Sequence, residues 1–170
     1  MDLDFRRPSA ALFPAFERFR DAFLPSDEDM WTGFFADART DLPAYLDWLE
    51  RSAQDRNAGL VPMDTYWVFA GDEMAGELNV RHYLRGPLIA RGGHIAYAVQ
   101  PKFRRQGVAR AMLGYACRRL RELGEVEALV TCLAGNAQSA ALVESSGGIR
   151  IHDAVVSGET HRRYLIPLSV

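Results

Sequence analysis

The strongest constraint in this chain lies between residues 94 and 123, where a β-rich run, a basic loop containing a glycine and a long amphipathic segment follow one another. His94–Val99 reads as a strand ended by Pro101. Gly107–Leu123 then reads as a helix that places Ala109, Met112, Leu113, Ala116, Leu120 and Leu123 on one face, with Arg110, Arg118 and Arg121 turned away and Gly124 as its stop. A helix that starts directly after a basic loop presents backbone N–H groups without intrahelical partners and the positive end of its dipole, which suits an anion such as phosphate. Gly107 lets the backbone approach closely, and Lys102, Arg104 and Arg105 add charge without blocking the amides. Read from the residues alone, the same loop also fits an ordinary solvated turn.

The rest of the chain narrows the setting. A length of 170 residues with 48% hydrophobic and 25% charged side chains predicts one domain, residues 1–170, with one core. Twenty basic side chains against twenty-two acidic ones leave a formal charge of −2, so the electrostatic footprint of a nucleic-acid binder is missing. Cys117 and Cys132 lie in apolar segments without ligand-like spacing and read as buried thiols, with neither a metal site nor a disulfide expected. No apolar run approaches the roughly 20 residues that span a bilayer, and the first thirty residues carry charges throughout, so the expectation is a cytoplasmic protein without membrane partners.

Several further elements are legible. Leu3–Arg7 reads as a short strand and Ala10–Phe23 as a helix with Pro14 near its start. Leu24–Thr40 reads as a loop with an acidic run and a Trp31–Phe35 aromatic cluster. Leu42–Arg56 is predicted helical, with Asp41 as N-cap, Pro43 in the first turn and Leu42, Leu46 and Leu49 on one stripe. Tyr66–Ala70 and Met74–Tyr83 form a hairpin about Gly71-Asp72. Glu127–Leu133 is a strand, Asn136–Ser145 a short helix closed by Gly147-Gly148, and Ile149–Val156 with His161–Leu168 a last pair of strands.

The run Arg104-Arg105-Gln106-Gly107-Val108-Ala109 resembles the R/Q-x-x-G-x-G/A signature of the GNAT superfamily of acyl-CoA-dependent N-acetyltransferases, and it sits, as there, between a strand and a helix. Downstream, Asn136-Ala137-Gln138-Ser139-Ala140-Ala141-Leu142 followed by Gly147-Gly148 resembles that family's N-x-x-S-x-x-L helix and closing glycine. The resemblance covers roughly Glu73 to Ile151. It implies an α/β (α+β) fold: a central mixed, mostly antiparallel twisted sheet of about six or seven strands flanked by about four helices, splayed between the strands at 94–99 and 127–133. It further implies acetyl-CoA as co-substrate, without a metal. The pyrophosphate would lie among Arg104, Arg105, Gln106, Gly107, Val108 and Ala109, the acyl carbonyl near the backbone of Ala98 and Val99, and the pantetheine arm beside Asn136 and Ser139. Asn136 also reads as a plain N-cap.

Catalysis of this kind needs a base for the amine and an acid for the leaving thiolate, with no covalent enzyme intermediate. The family's usual acid, a tyrosine after the leucine of the second motif, is replaced here by Val143. The strand face on which many members carry the base corresponds to Gly93, Ile95 and Tyr97, of which only Tyr97 is polar; His94 points the other way and reads as structural or exposed. Glu77, which shares a face with Asn79, Arg81 and Tyr83, is the first choice for the base, ahead of His82 and Tyr97, although a surface carboxylate is the plainer reading. Tyr164 is the candidate replacement acid. Cys132 has no evident histidine partner and no thioester intermediate is required of it.

The expected activity is acetyl transfer to a primary amine of a small molecule or peptide. A non-catalytic acyl-CoA-binding domain is the alternative, motivated by Val143 and Gly93. A nucleotide-binding Rossmann or P-loop protein is excluded by the absence of G-x-G-x-x-G after a strand and of G-x-x-x-x-G-K-[ST]. The aromatic and acidic front, including Asp27, Glu28, Asp29, Trp31 and Phe34, suits a cationic amine. The resemblance also implies a candidate homodimer, for which the sequence offers no identifiable interface.

Overall fold

A computed structural model describes residues 1–23, 41–54 and 61–168. The loop with the Trp31–Phe35 cluster, and with it Asp27, Glu28 and Asp29, lies outside the described residues. The chain divides into two compact units, Met1–Leu78 with Ala98–Val108, and Asn79–Tyr97 with Ala109–Val170.

The first unit is built on one aromatic cluster. Strand β1 (Asp4–Arg6) pairs antiparallel with β2 (Met63–Ala70), Phe5 opposite Val68. A 3₁₀ turn over Ala10–Leu12 leads into helix α1 (Phe13–Asp21), where Pro14 occupies the first turn and its missing N–H costs nothing. Helix α2 (Leu42–Ala53) begins at Asp41, whose carboxylate accepts the Ala44 N–H at 2.9 Å. Its buried stripe is Leu42, Tyr45 and Leu49, while Leu46 is only half-buried, so the tyrosine takes the inward position expected of that leucine. Phe16 stacks on Trp67 with ring centroids 4.6 Å apart, and Phe19, Tyr45, Leu49, Met63, Phe69 and Met74 complete the cluster. Each such side chain contributes about 1.5–3 kcal/mol by leaving water. Strand β2 and strand β3 (Glu73–Arg81) are buried on both faces over nearly their whole length, which explains why neither shows clean alternation in sequence. Strand β4 (Ile95–Val99) ends this sheet, in the order β1-β2-β3-β4.

Helix α3 (Val108–Glu122) leads to the second sheet, with Met112, Leu113, Ala116 and Leu120 buried as their spacing requires. Strand β5 (Glu127–Leu133) pairs antiparallel with the long β8 (Glu159–Pro167), placing Val130 opposite Tyr164 and Cys132 opposite Arg162. Helix α4 (Ala137–Glu144) follows β5 and is capped by Asn136, whose Oδ1 accepts the Ser139 N–H at 3.0 Å. The strand expected over Ile149–Val156 is in fact two, β6 (Ile149–Arg150) and β7 (Ala154–Val156), both paired to β8. Arg150 faces Tyr164 and Ala154 faces His161, so three residues on one side stand against two on the other and the ladder must bulge. Arg150 and Asp153 close this break with a 2.8 Å ion pair. The split accounts for the eighth strand among the described residues. Pairing is antiparallel where β1 meets β2 and where β8 meets β5, β6 and β7, and with four described helices the architecture is the α/β fold the motifs implied.

β4 and β5 belong to different sheets, and the residues just before β4 are tied to β5. The His94 N–H donates to Leu129 O at 2.7 Å, the Leu129 N–H donates to His94 Nδ1 at 2.9 Å, and the Gly92 N–H donates to Thr131 Oγ1 at 2.9 Å. Gly93 sits at φ +61°, and a Cβ there would come within 2.5 Å of the Leu129 carbonyl oxygen. Only glycine fits, for both reasons. His94 is buried, with its imidazole pulled down from 6.5 to about 4, first by burial and then by the Arg81 charge.

This contact has two measurable consequences. Gly93→Ala destabilises the fold by more than the left-handed backbone penalty of about 1–2 kcal/mol, because the methyl also meets backbone that cannot yield; urea unfolding measures the loss. Between pH 6.5 and about 4 the unfolded chain binds a proton at His94 that the folded chain refuses, so stability falls as pH falls through that window and this contribution levels off below it. In His94→Gln the slope of stability against pH across the same window is reduced by about one proton.

Candidate active site

The basic loop runs from the end of β4 into α3. Pro101–Phe103 forms a single 3₁₀ turn, and the chain then needs unusual backbone: Arg105 has φ +62° and Gly107 φ +85°. A non-glycine residue in that region is held there by its surroundings, a form of strain that concentrates at functional loops. Gln106 Nε2 donates to Lys102 O at 2.6 Å and Arg104 Nε donates to Val99 O at 3.3 Å, so side chains within the loop fasten it to itself. Arg104 also lies over the Phe23 ring, 5.8 Å from its centroid. Nothing lies within 4 Å of where a Gly107 Cβ would be, which leaves the approach to the backbone there open.

Arg104, Arg105, Gln106 and Gly107 are exposed, Val108 is buried as the first residue of α3, and Ala109 is half-buried. The loop therefore carries two exposed arginines directly before the N-terminus of a 15-residue helix. These residues fit a diphosphate: fixed N–H donors, positive charge and no side chain in the way at Gly107. Ala98 and Val99, the last residues of β4, are half-buried. Asn136 is exposed at the start of α4, where its cap bond occupies Oδ1.

The three proton-handling candidates sit in distinct environments. Glu77 is no surface carboxylate: it is 4% exposed, with Oε1 accepting the Tyr45 O–H and Oε2 accepting the Trp67 Nε1–H, each at 2.9 Å. The Tyr45 phenol is driven well above its usual value by burial and then by the Glu77 charge. Tyr97, on β4, shares a 2.9 Å hydrogen bond with the Ser139 hydroxyl, which brings a candidate proton carrier to a candidate cofactor residue. Burial raises the Tyr97 phenol and the Ser139 bond partly offsets it. Tyr164 is fully buried on β8, and its O–H donates to Glu144 Oε1 at 2.9 Å.

Glu144 and Tyr45 are the residues that sequence reasoning did not single out. Tyr45 was hidden because helical spacing favoured Leu46. Glu144 directly follows Val143, but its link to Tyr164 crosses 20 residues and depends on the register of β8. His94, read as structural or exposed, is structural and buried.

Comparison with known proteins identifies the fold and the family. The chain superposes on the ribosomal-protein-S5-alanine acetyltransferase of Vibrio fischeri with a TM-score of 0.73 at 11% identity, covering 99% of this chain and 94% of that one. It superposes on RimJ of Mycobacterium smegmatis, solved with CoA-disulfide, with a TM-score of 0.69 at 18% identity, covering 97% and 81%. For yncA of Salmonella typhimurium, solved with its cofactor acetyl-CoA, the TM-score is 0.65 at 17% identity, covering 98% and 94%. At such identities these likenesses establish the fold. No curated protein matches the chain in sequence. The sequence model of the acetyltransferase (GNAT) family matches residues 17–147, well over half of the chain, and takes in both the loop at 104–109 and the helix that Asn136 caps. The chain belongs to the acetyltransferase (GNAT) family.

Proposed function

We propose that this chain is a cytoplasmic N-acetyltransferase, a single catalytic domain over residues 1–170, that moves an acetyl group from acetyl-CoA to a primary amine of a small molecule or peptide. The observation that carries the reading is the loop Arg104–Ala109, whose backbone turns left-handed at Arg105 and Gly107 directly before α3, with open space at Gly107 and two exposed arginines. In this reading Arg104, Arg105, Gln106, Gly107, Val108 and Ala109 hold the pyrophosphate, Ala98 and Val99 offer backbone to the acyl carbonyl, and Asn136 and Ser139 serve the pantetheine arm. No metal takes part. The solved structures of similar fold whose names specify acetylation of ribosomal proteins, one of them at an N-terminal serine, support a peptide terminus among the acceptors. Among the described residues no helix is long and apolar enough to cross a membrane. A homodimer belongs to the same proposal and is read by sedimentation.

The amine attacks the thioester carbonyl directly; the C–N bond forms, the C–S bond breaks, and CoA leaves as its thiolate. Glu77, Tyr97 and Tyr164 are the proposed proton carriers, with Glu77 as the base. Its buried carboxylate is held by two neutral donors, so it is oriented without a salt bridge to either of them. Val143, at the family's usual acid position, favours the alternative of a chain that binds acyl-CoA without turnover, and a panel of amines followed by thiol release separates the two.

Titration calorimetry should give a Kd for acetyl-CoA near the micromolar range, weakened at least about tenfold in Arg104→Glu and in Gly107→Glu. Unchanged binding in both variants would remove the loop from the cofactor site. Glu77→Gln should lower kcat by about 100-fold or more while acetyl-CoA still binds, and it should cost about 1–3 kcal/mol of stability because the amide cannot accept both donors. Wild-type kcat in a destabilised Glu77→Gln would make this carboxylate purely structural.

A further inference from the structure

Tyr164 shows no exposed surface, yet its hydroxyl does not end in the interior. It donates to Oε1 of Glu144, the last residue of α4, which is exposed to water. One hydrogen bond of 2.9 Å thus joins a buried phenol to the bulk. The titratable and charged groups around this phenol are Glu144 from α4, Cys132 from β5, Arg162 of β8 itself and Arg150 from β6. Burial raises the phenol first, then its bond to the Glu144 carboxylate and that charge; the Arg162 side chain works in the opposite direction. A tyrosinate next to a carboxylate is disfavoured, so a donor that must lose its proton before regaining one is a poor fit for Tyr164. A phenol that gains one proton as it gives up another is a good fit.

The chemistry supplies the need. An ammonium group loses two N–H protons on becoming an amide; one, taken by Glu77 as the base, ends on the sulfur of CoA, and the other must reach water. We propose that Tyr164 and Glu144 form the exit for that second proton. As an N–H proton moves to the Tyr164 oxygen, the phenol's own proton moves to Glu144 Oε1, and the resulting carboxylic acid ionises into solvent. The phenol ends as it began, no charge accumulates in the interior, and Glu144 acts as a positioning and relay residue that never touches substrate. This inference rests on the acetyltransferase reading and refines the part played by Tyr164, whose resting hydrogen bond sends its proton toward Glu144.

The test uses the full chain with Glu144→Gln, Tyr164→Phe and the double variant, measured three ways: acetyl-CoA binding by calorimetry, kcat against pH with an acceptor found by thiol release, and titration of the Tyr164 phenol by NMR of ring-labelled tyrosine. Both single variants should lower kcat at least about tenfold with acetyl-CoA affinity unchanged, and the double variant should be no slower than Tyr164→Phe, since the two residues act as one unit. In Glu144→Gln the pH profile of kcat should change and the phenol, relieved of the carboxylate that raises it, should titrate at lower pH. Wild-type kcat and pH profile in Glu144→Gln with binding intact, or an unmoved phenol titration, would overturn the relay alone. Failure of the unaltered chain to bind acetyl-CoA would overturn the acetyltransferase reading and the relay together.

Discussion

The close approach of Gly93 and His94 to Leu129 is the constraint on which the second unit turns. Two hydrogen bonds of 2.7 and 2.9 Å run in opposite directions between His94 and Leu129, and the space between them is so small that Gly93 admits no Cβ. One of those bonds needs a neutral imidazole with its proton on Nε2, and burial enforces that state by holding His94 near 4. Position 93 is therefore fixed as glycine by packing. A catalytic side chain cannot be carried there, so the proposed proton carriers are Tyr97 on the strand that follows, Glu77 and Tyr164.

That shift gives meaning to two carboxylate–phenol pairs. Glu77 and Tyr45 form one and Glu144 and Tyr164 the other, but their surroundings differ. Glu77 is buried and accepts from Tyr45 and Trp67, which orient it away from water; Glu144 stands in water and accepts from a buried phenol. A buried carboxylate can be held in one orientation to take a proton, whereas an exposed one exchanges protons with water at once. The chemistry assigned to each follows from that difference in burial rather than from residue type.

Much of the fold was legible because its signals are local. Asp41 and Asn136 act as the caps their positions announced, Met112, Leu113, Ala116 and Leu120 of the apolar stripe on α3 are buried while Ala109 and Leu123 at its ends are half-buried, and the loop at 104–109 was recognisable from six consecutive residues. What stayed hidden is non-local. The bulge that splits Ile149–Val156 arises only when three residues are set against two on β8, and the exchange of Leu46 for Tyr45 on α2 reflects a hydrogen bond to a strand 32 residues away. Glu77 reads as a surface carboxylate in an alternating strand, but β3 is buried on both faces, so the alternation carried no information about exposure.

In the proposed function the amides at the start of α3 receive the phosphates of acetyl-CoA. The most direct measurement is the change in backbone amide resonances of the ¹⁵N-labelled chain as CoA is added. The largest saturable shifts are expected at Gln106, Gly107, Val108 and Ala109, with 3′-phosphoadenosine 5′-diphosphate alone reproducing them. Saturable shifts confined to other segments, with these four amides unmoved, would contradict that reading.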